Sequence, residues 1–73
     1  MDLNTHALKA IRERSGLTVT ALAESAGIKQ AHLSNIEAGR RSASPTVIVA
    51  LARSLKVELP AILNNPPARE AAA

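Results

Sequence analysis

The stretch LTVTALAESAGIKQAHLSNIEAGRR, residues 17–41, decides the fold. Its two glycines, Gly27 and Gly39, each close a run of helix-compatible residues. Thr18 has the hydroxyl of a helix N-cap, and Leu22, Ala23 and Ala26 then fall on one stripe, so a second helix is expected over about 18–26. Gly27 stands where the chain leaves that helix with positive φ, a conformation glycine adopts without a Cβ penalty. Ile28 and Lys29 finish the turn. A third helix follows over about 30–38, with Leu33 and Ile36 inward and Gly39 as its stop. Ala23 is small enough for the two helices to cross closely, and Ile28 plugs the core beneath the turn. Two short helices joined by a tight glycine turn form a helix-turn-helix.

The flanks extend the pattern. NTHALKAIRERSG, residues 4–16, offers Asn4 or Thr5 as N-cap and sets Ala7, Leu8 and Ile11 along one helical stripe, closed by Ser15 and Gly16. After the linker SASPTV, Pro45 opens a fourth helix, because the N–H that proline lacks has no partner in a first turn. Val47, Ile48, Leu51 and Leu55 mark its core face. Glu58, Leu59 and Pro60 begin a last short helical turn ending at Asn64. Residues 1–64 are therefore expected to form the domain. Residues 65–73, with two consecutive prolines and no apolar periodicity, are expected to be a disordered tail.

A chain of 73 residues has room for one modest core. It has no cysteine and no aromatic residue, so neither disulfides nor a thiolate metal site can staple it. A core of Leu, Ile, Val and much Ala favours close-packed short helices over a sheet. The fold class is all-α. A net charge of +3 and a pI near 10.2 tilt the chain toward anionic partners. No apolar run reaches the length of a membrane span and no signal peptide opens the chain, so the expected location is the bacterial cytoplasm. His6 and His32 lack further ligands at useful spacing, and no nucleophile and base set or phosphate-cradling loop is present. No metal, cofactor or enzymatic activity is expected.

IRERSGLT at 11–18, ALAESAGI at 21–28, LSNIEAGRR at 33–41 and SPTVIVALARSLKV at 44–57 together resemble the XRE family, the lambda-repressor-like domains that include phage repressors and Cro proteins. The resemblance spans Leu8 to Leu63. It implies a compact five-helix domain whose third helix enters the major groove of DNA. With Leu33 and Ile36 inward, a rotation of about 100° per residue places Gln30, Ala31, Ser34 and Asn35 outward as candidates for base contact. Gln and Asn can pair bidentately with adenine, and Ala31 can touch a thymine methyl. Lys29, His32, Arg40 and Arg41 flank this helix and are backbone-contact candidates, joined by the hydroxyls of Thr18, Thr20, Ser42 and Thr46. Arg12 and Glu37 match the family's ion pair between the first helix and the end of the recognition helix.

Two positions depart from the family pattern. Val19 stands where glutamine is common at the start of the second helix, so one phosphate contact is missing and Val19 is free to pack on a sugar or a neighbouring side chain. Lys56 stands where a glycine usually follows the fourth helix. The function implied is a sequence-specific regulator of double-stranded DNA, of the phage or plasmid repressor type, bound as a homodimer to a palindromic operator. Leu59, Ile62 and Leu63 are candidates for the dimer surface, with completion of the core as their competing role. The alternative is an antitoxin or another protein-binding module that engages its partner through the tail.

Overall fold

The computed structural model describes residues 2–64. Four α-helices, α1 (Thr5–Arg14), α2 (Val19–Ala26), α3 (Gln30–Glu37) and α4 (Pro45–Leu55), are followed by a 3₁₀ turn over Leu59–Ile62. The fifth helix of the expected five is this 3₁₀ turn. Pro60 removes one donor, and the backbone turns extended at Leu63 (φ −110°, ψ 147°), so four residues remain and no α-helical ladder can be built. Residues 65–73, expected to form a disordered tail, lie outside the described residues.

Side chains choose where three of the helices begin. Asn4 caps α1, its side chain accepting from Ala7 N–H at 3.0 Å; Thr18 Oγ1 accepts from Ala21 N–H at 3.0 Å; and Ser44 Oγ accepts from Val47 N–H at 3.3 Å just before Pro45. Lys29 precedes α3 and contributes no side-chain cap.

The helices end alike, each wrapped by a left-handed residue. After α2, Gly27 (φ +77°) donates to Glu24 O and Ile28 N–H reaches back to Ala23 O at 2.9 Å. After α3, Gly39 (φ +79°) donates to Ile36 O and Arg40 N–H reaches Asn35 O at 2.9 Å. Both patterns satisfy two orphan carbonyls at the helix end. Lys56 makes the same turn after α4 without being glycine: φ is +57°, its N–H donates to Arg53 O and Val57 N–H to Ala52 O. A side chain in this region costs about 1–2 kcal/mol.

The core is wholly aliphatic. Leu8, Leu22, Leu33, Ile36, Ile48, Leu51 and Ile62 are fully buried, each contributing about 1.5–3 kcal/mol by leaving water. Ala23 is buried where α2 crosses its neighbours, while Ile11, Ala26, Ile28 and Val47, read as core positions, pack at its rim. Ile62 and Leu63 are buried and Leu59 packs against the core, so these three finish the domain's interior. The two ends of the described chain meet: Asn4 N–H donates to Ile62 O and Asn64 N–H to Asp2 O, both at 2.8 Å, around an antiparallel bridge between Leu3 and Leu63.

Candidate nucleic-acid interface

α3 is fastened from below by Leu33 and Ile36, both fully buried, which fixes what its other side presents. Gln30 and Ala31 are exposed, and Ser34 and Asn35 are half-buried on the same outward side. Gln30 Nε2 donates to Ser34 Oγ at 2.9 Å, which holds both side chains along the helix. Asn35 is covered by the chain that wraps back after Gly39. Its carbonyl accepts from the backbone N–H groups of Arg40 and Arg41 at 2.9 and 3.3 Å, and its Oδ1 accepts from Arg40 Nε at 3.0 Å.

A buried ion pair holds the C-terminal end of α3. Arg12 Nε donates to Glu37 Oε2 at 2.8 Å and Nη2 to Oε1 at 3.1 Å, while Nη1 donates to Leu17 O at 2.9 Å. The two side chains are 9% and 8% exposed. This planar, two-pronged geometry is the one guanidinium forms best with carboxylate. It ties α1, the chain entering α2 and the last residue of α3 into one unit. Tilting α3 on the domain would break two charge-assisted bonds.

Of the other candidates, Lys29, Arg40, Arg41, Thr18, Thr20 and Ser42 are exposed, and His32 is half-buried on α3. Thr18 already spends its oxygen on the cap of α2. Arg41 and Ser42 line a small polar cleft with Asp2, Leu3 and Thr5 at the start of α1. Thr46 is not gathered with the α3 residues: it lines a groove between α2 and α4 with Ser25, Val49, Ala50 and Arg53. Val19 is half-buried against the core and shares a cleft with Ser34 and Lys9, a residue the sequence reading did not single out. Among the described residues no helix is long and apolar enough to cross a membrane, and no cluster of His, Cys, Asp or Glu could hold a metal ion.

A family model described as helix-turn-helix matches residues 8–62, from the first buried leucine of α1 to the end of the 3₁₀ turn. The chain belongs to this family, the XRE-type helix-turn-helix proteins. The restriction-modification controller protein C.AhdI from Aeromonas hydrophila has a similar structure, with a TM-score of 0.76 at 28% identity over 78% of this chain and 86% of that one. The clp gene regulator ClgR from Corynebacterium glutamicum follows with a TM-score of 0.74 at 27% identity, covering 77% of this chain and 60% of that one. A helix-turn-helix transcriptional regulator from Vibrio cholerae gives 0.77 at 29% identity over 90% of this chain, which spans only 37% of the regulator. Among curated protein sequences none matches significantly. This helix-turn-helix protein is a DNA-binding transcriptional regulator by family, with α2 and α3 as the two helices that give the family its name.

Proposed function

We propose that this protein recognises a specific double-stranded DNA operator by seating α3 in the major groove, and that it represses transcription by occupying that site. The observation that carries the reading is the outward face of α3. Its polar side chains are ordered by the Gln30–Ser34 and Arg40–Asn35 hydrogen bonds and its axis is fixed by the Arg12–Glu37 pair. Such a face presents donors and acceptors in a set geometry, as direct reading of base edges requires. Gln30, Ala31, Ser34 and Asn35 are the base-reading residues. Lys29, His32, Arg40, Arg41 and Ser42 lie along the phosphates, with Thr18 and Thr20 adding contacts near the N-terminus of α2, while Thr46, in the groove between α2 and α4, is left out of this set.

One domain brings few cationic phosphate contacts, those of Lys29, Arg40 and Arg41, so a single copy binds weakly and two copies act together on a palindrome. Half-site centres lie about one helical turn apart, roughly 34–36 Å. Selection from a random duplex library tests the reading. A defined inverted repeat is expected to emerge. Enrichment of no motif, with retention that vanishes as salt rises, would refute sequence recognition and favour a role in binding protein.

A further inference from the structure

Beside the α3 reading face lies an open cleft of about 280 Å³ lined by Lys9, Arg12, Val19, Ser34, Glu37 and Ala38. We propose that this cleft receives one deoxyribose-phosphate of the DNA backbone, with Lys9 as the phosphate contact and Val19 and Ala38 as the surface on which the sugar rests. The proposal rests on the DNA-binding reading and adds to it a residue of α1 and a role for Val19.

Three observations support it. The first is position: Ser34 belongs both to the cleft and, through its bond from Gln30, to the outward face of α3. A strand passing that face continues into the cleft. The second is charge. Glu37 would repel a phosphate if free, but both its oxygens are taken by Arg12, so the lining retains one uncompensated cation, Lys9. Lys9 is exposed and has no ion-pair partner among the described residues. The third is chemistry: Val19 and Ala38 give the cleft an apolar surface, which suits a deoxyribose, while an ammonium on a flexible stem suits a phosphate without demanding one geometry. Val19 cannot donate a hydrogen bond as a glutamine would at the same place, and the lysine one turn before Arg12 supplies the missing attraction.

The test compares Lys9→Gln with Arg53→Gln, which removes the same charge from the groove between α2 and α4, and with Arg40→Ala. Affinity for the selected operator and for scrambled duplex is measured at several salt concentrations. Loss of one phosphate contact flattens the slope of log affinity against log salt by about 0.9, so the penalty of going from 50 to 200 mM salt shrinks roughly 3.5-fold. Lys9→Gln is expected to show this on both duplexes while Arg53→Gln does not. Its helical circular dichroism should match that of the parent, since Lys9 is exposed. If Lys9→Gln leaves the slope unchanged, or changes it no more than Arg53→Gln, while Arg40→Ala flattens it, the cleft is not a phosphate site and the DNA reading stands. If none of the three alters the slope, both fail. Duplexes carrying a neutral methylphosphonate at one position at a time give a second readout. One position should weaken the parent protein yet leave Lys9→Gln unaffected, and the absence of any such position overturns the proposal.

Discussion

Replacing Glu37 with alanine deletes the carboxylate that accepts two Arg12 hydrogen bonds and strands a guanidinium whose side chain is 9% exposed. What remains to it is the bond from Nη1 to Leu17 O. An exposed ion pair contributes about 0–1 kcal/mol, whereas removing one partner of a buried pair costs roughly 3–5 kcal/mol because the other charge stays desolvated. Both side chains here are under a tenth exposed, so the second range applies. The lower end is favoured, since Glu13 Oε2 is already 3.9 Å from Arg12 Nη2 and can take up part of the lost attraction from the surface. The expected loss is about 3 kcal/mol. That is a large share of the roughly 3–10 kcal/mol available to a domain of about 64 residues. The chain has no aromatic residue to report by fluorescence, so unfolding in urea is followed by helical circular dichroism and the loss is read from the midpoint at unchanged m. Arg12→Met combined with Glu37→Leu serves as control, because removing both charges together should restore most of the stability. A loss below about 0.5 kcal/mol for Glu37→Ala would place the pair among exposed ones. A double variant no better than the single one would show that the cost is not that of an unpaired charge.

Lys56→Gly removes the Cβ from the left-handed turn after α4, relieving about 1–2 kcal/mol, less about 0.4–1 kcal/mol for the freer unfolded chain; a small rise in the urea midpoint is expected, and a fall contradicts the strain argument. Gly27→Ala reverses the signs, losing about 1–2 kcal/mol to the left-handed Cβ and regaining about 0.4–1 kcal/mol from the stiffer unfolded chain, with no steric part, since a Cβ there would meet nothing within 4 Å. Thr18→Ala should cost about 1 kcal/mol by leaving Ala21 N–H without its cap, measured in the same melts. On the selected operator, Gln30→Ala is expected to cost about 1–3 kcal/mol and relax one base position while barely changing nonspecific affinity. Arg41→Ala should weaken both duplexes alike and flatten the salt slope; equal behaviour of the two variants would mean that α3 does not read sequence.

The bounds of the helices were legible because the residues at their ends have strong local physics. Thr18, Gly27, Gly39 and Pro45 each have one favoured use at a helix boundary, and the observed Val19–Ala26 and Gln30–Glu37 lie within a residue of the expected spans. Asn4 and Thr5 could not be separated as caps of α1, because both side chains can accept. The choice is made by distant chain, since Asn4 N–H is held by Ile62 O. The Leu3–Leu63 bridge left no signal for the same reason: it joins the two ends of the domain without a strand of either. On α3, the buried pair Leu33 and Ile36 was enough to give the outward face by rotation alone. The bond between Asn35 and Arg40 was hidden, for it exists only after Gly39 folds the chain back. Lys9 escaped notice because helical periodicity says which side of α1 is wet but not which neighbour that side adjoins.

The placement of these contacts makes α3 mechanically unequal along its length. Its C-terminal end is held three ways, by Arg12 on Glu37, by Arg40 on the Asn35 side chain, and by the wrapped N–H groups on the Asn35 carbonyl. Its N-terminal end has no side-chain cap, and the tie of Gln30 is to Ser34 within the helix itself. Energetic coupling is strong between groups in one hydrogen-bond network and weak between separated ones. A change at Asn35 therefore acts on the arginines as well as on its own contact, whereas a change at Gln30 stays local. In the proposed complex the C-terminal end sets the register of α3 against the DNA backbone, and the N-terminal end is where base preference can be altered without moving the rest of the domain.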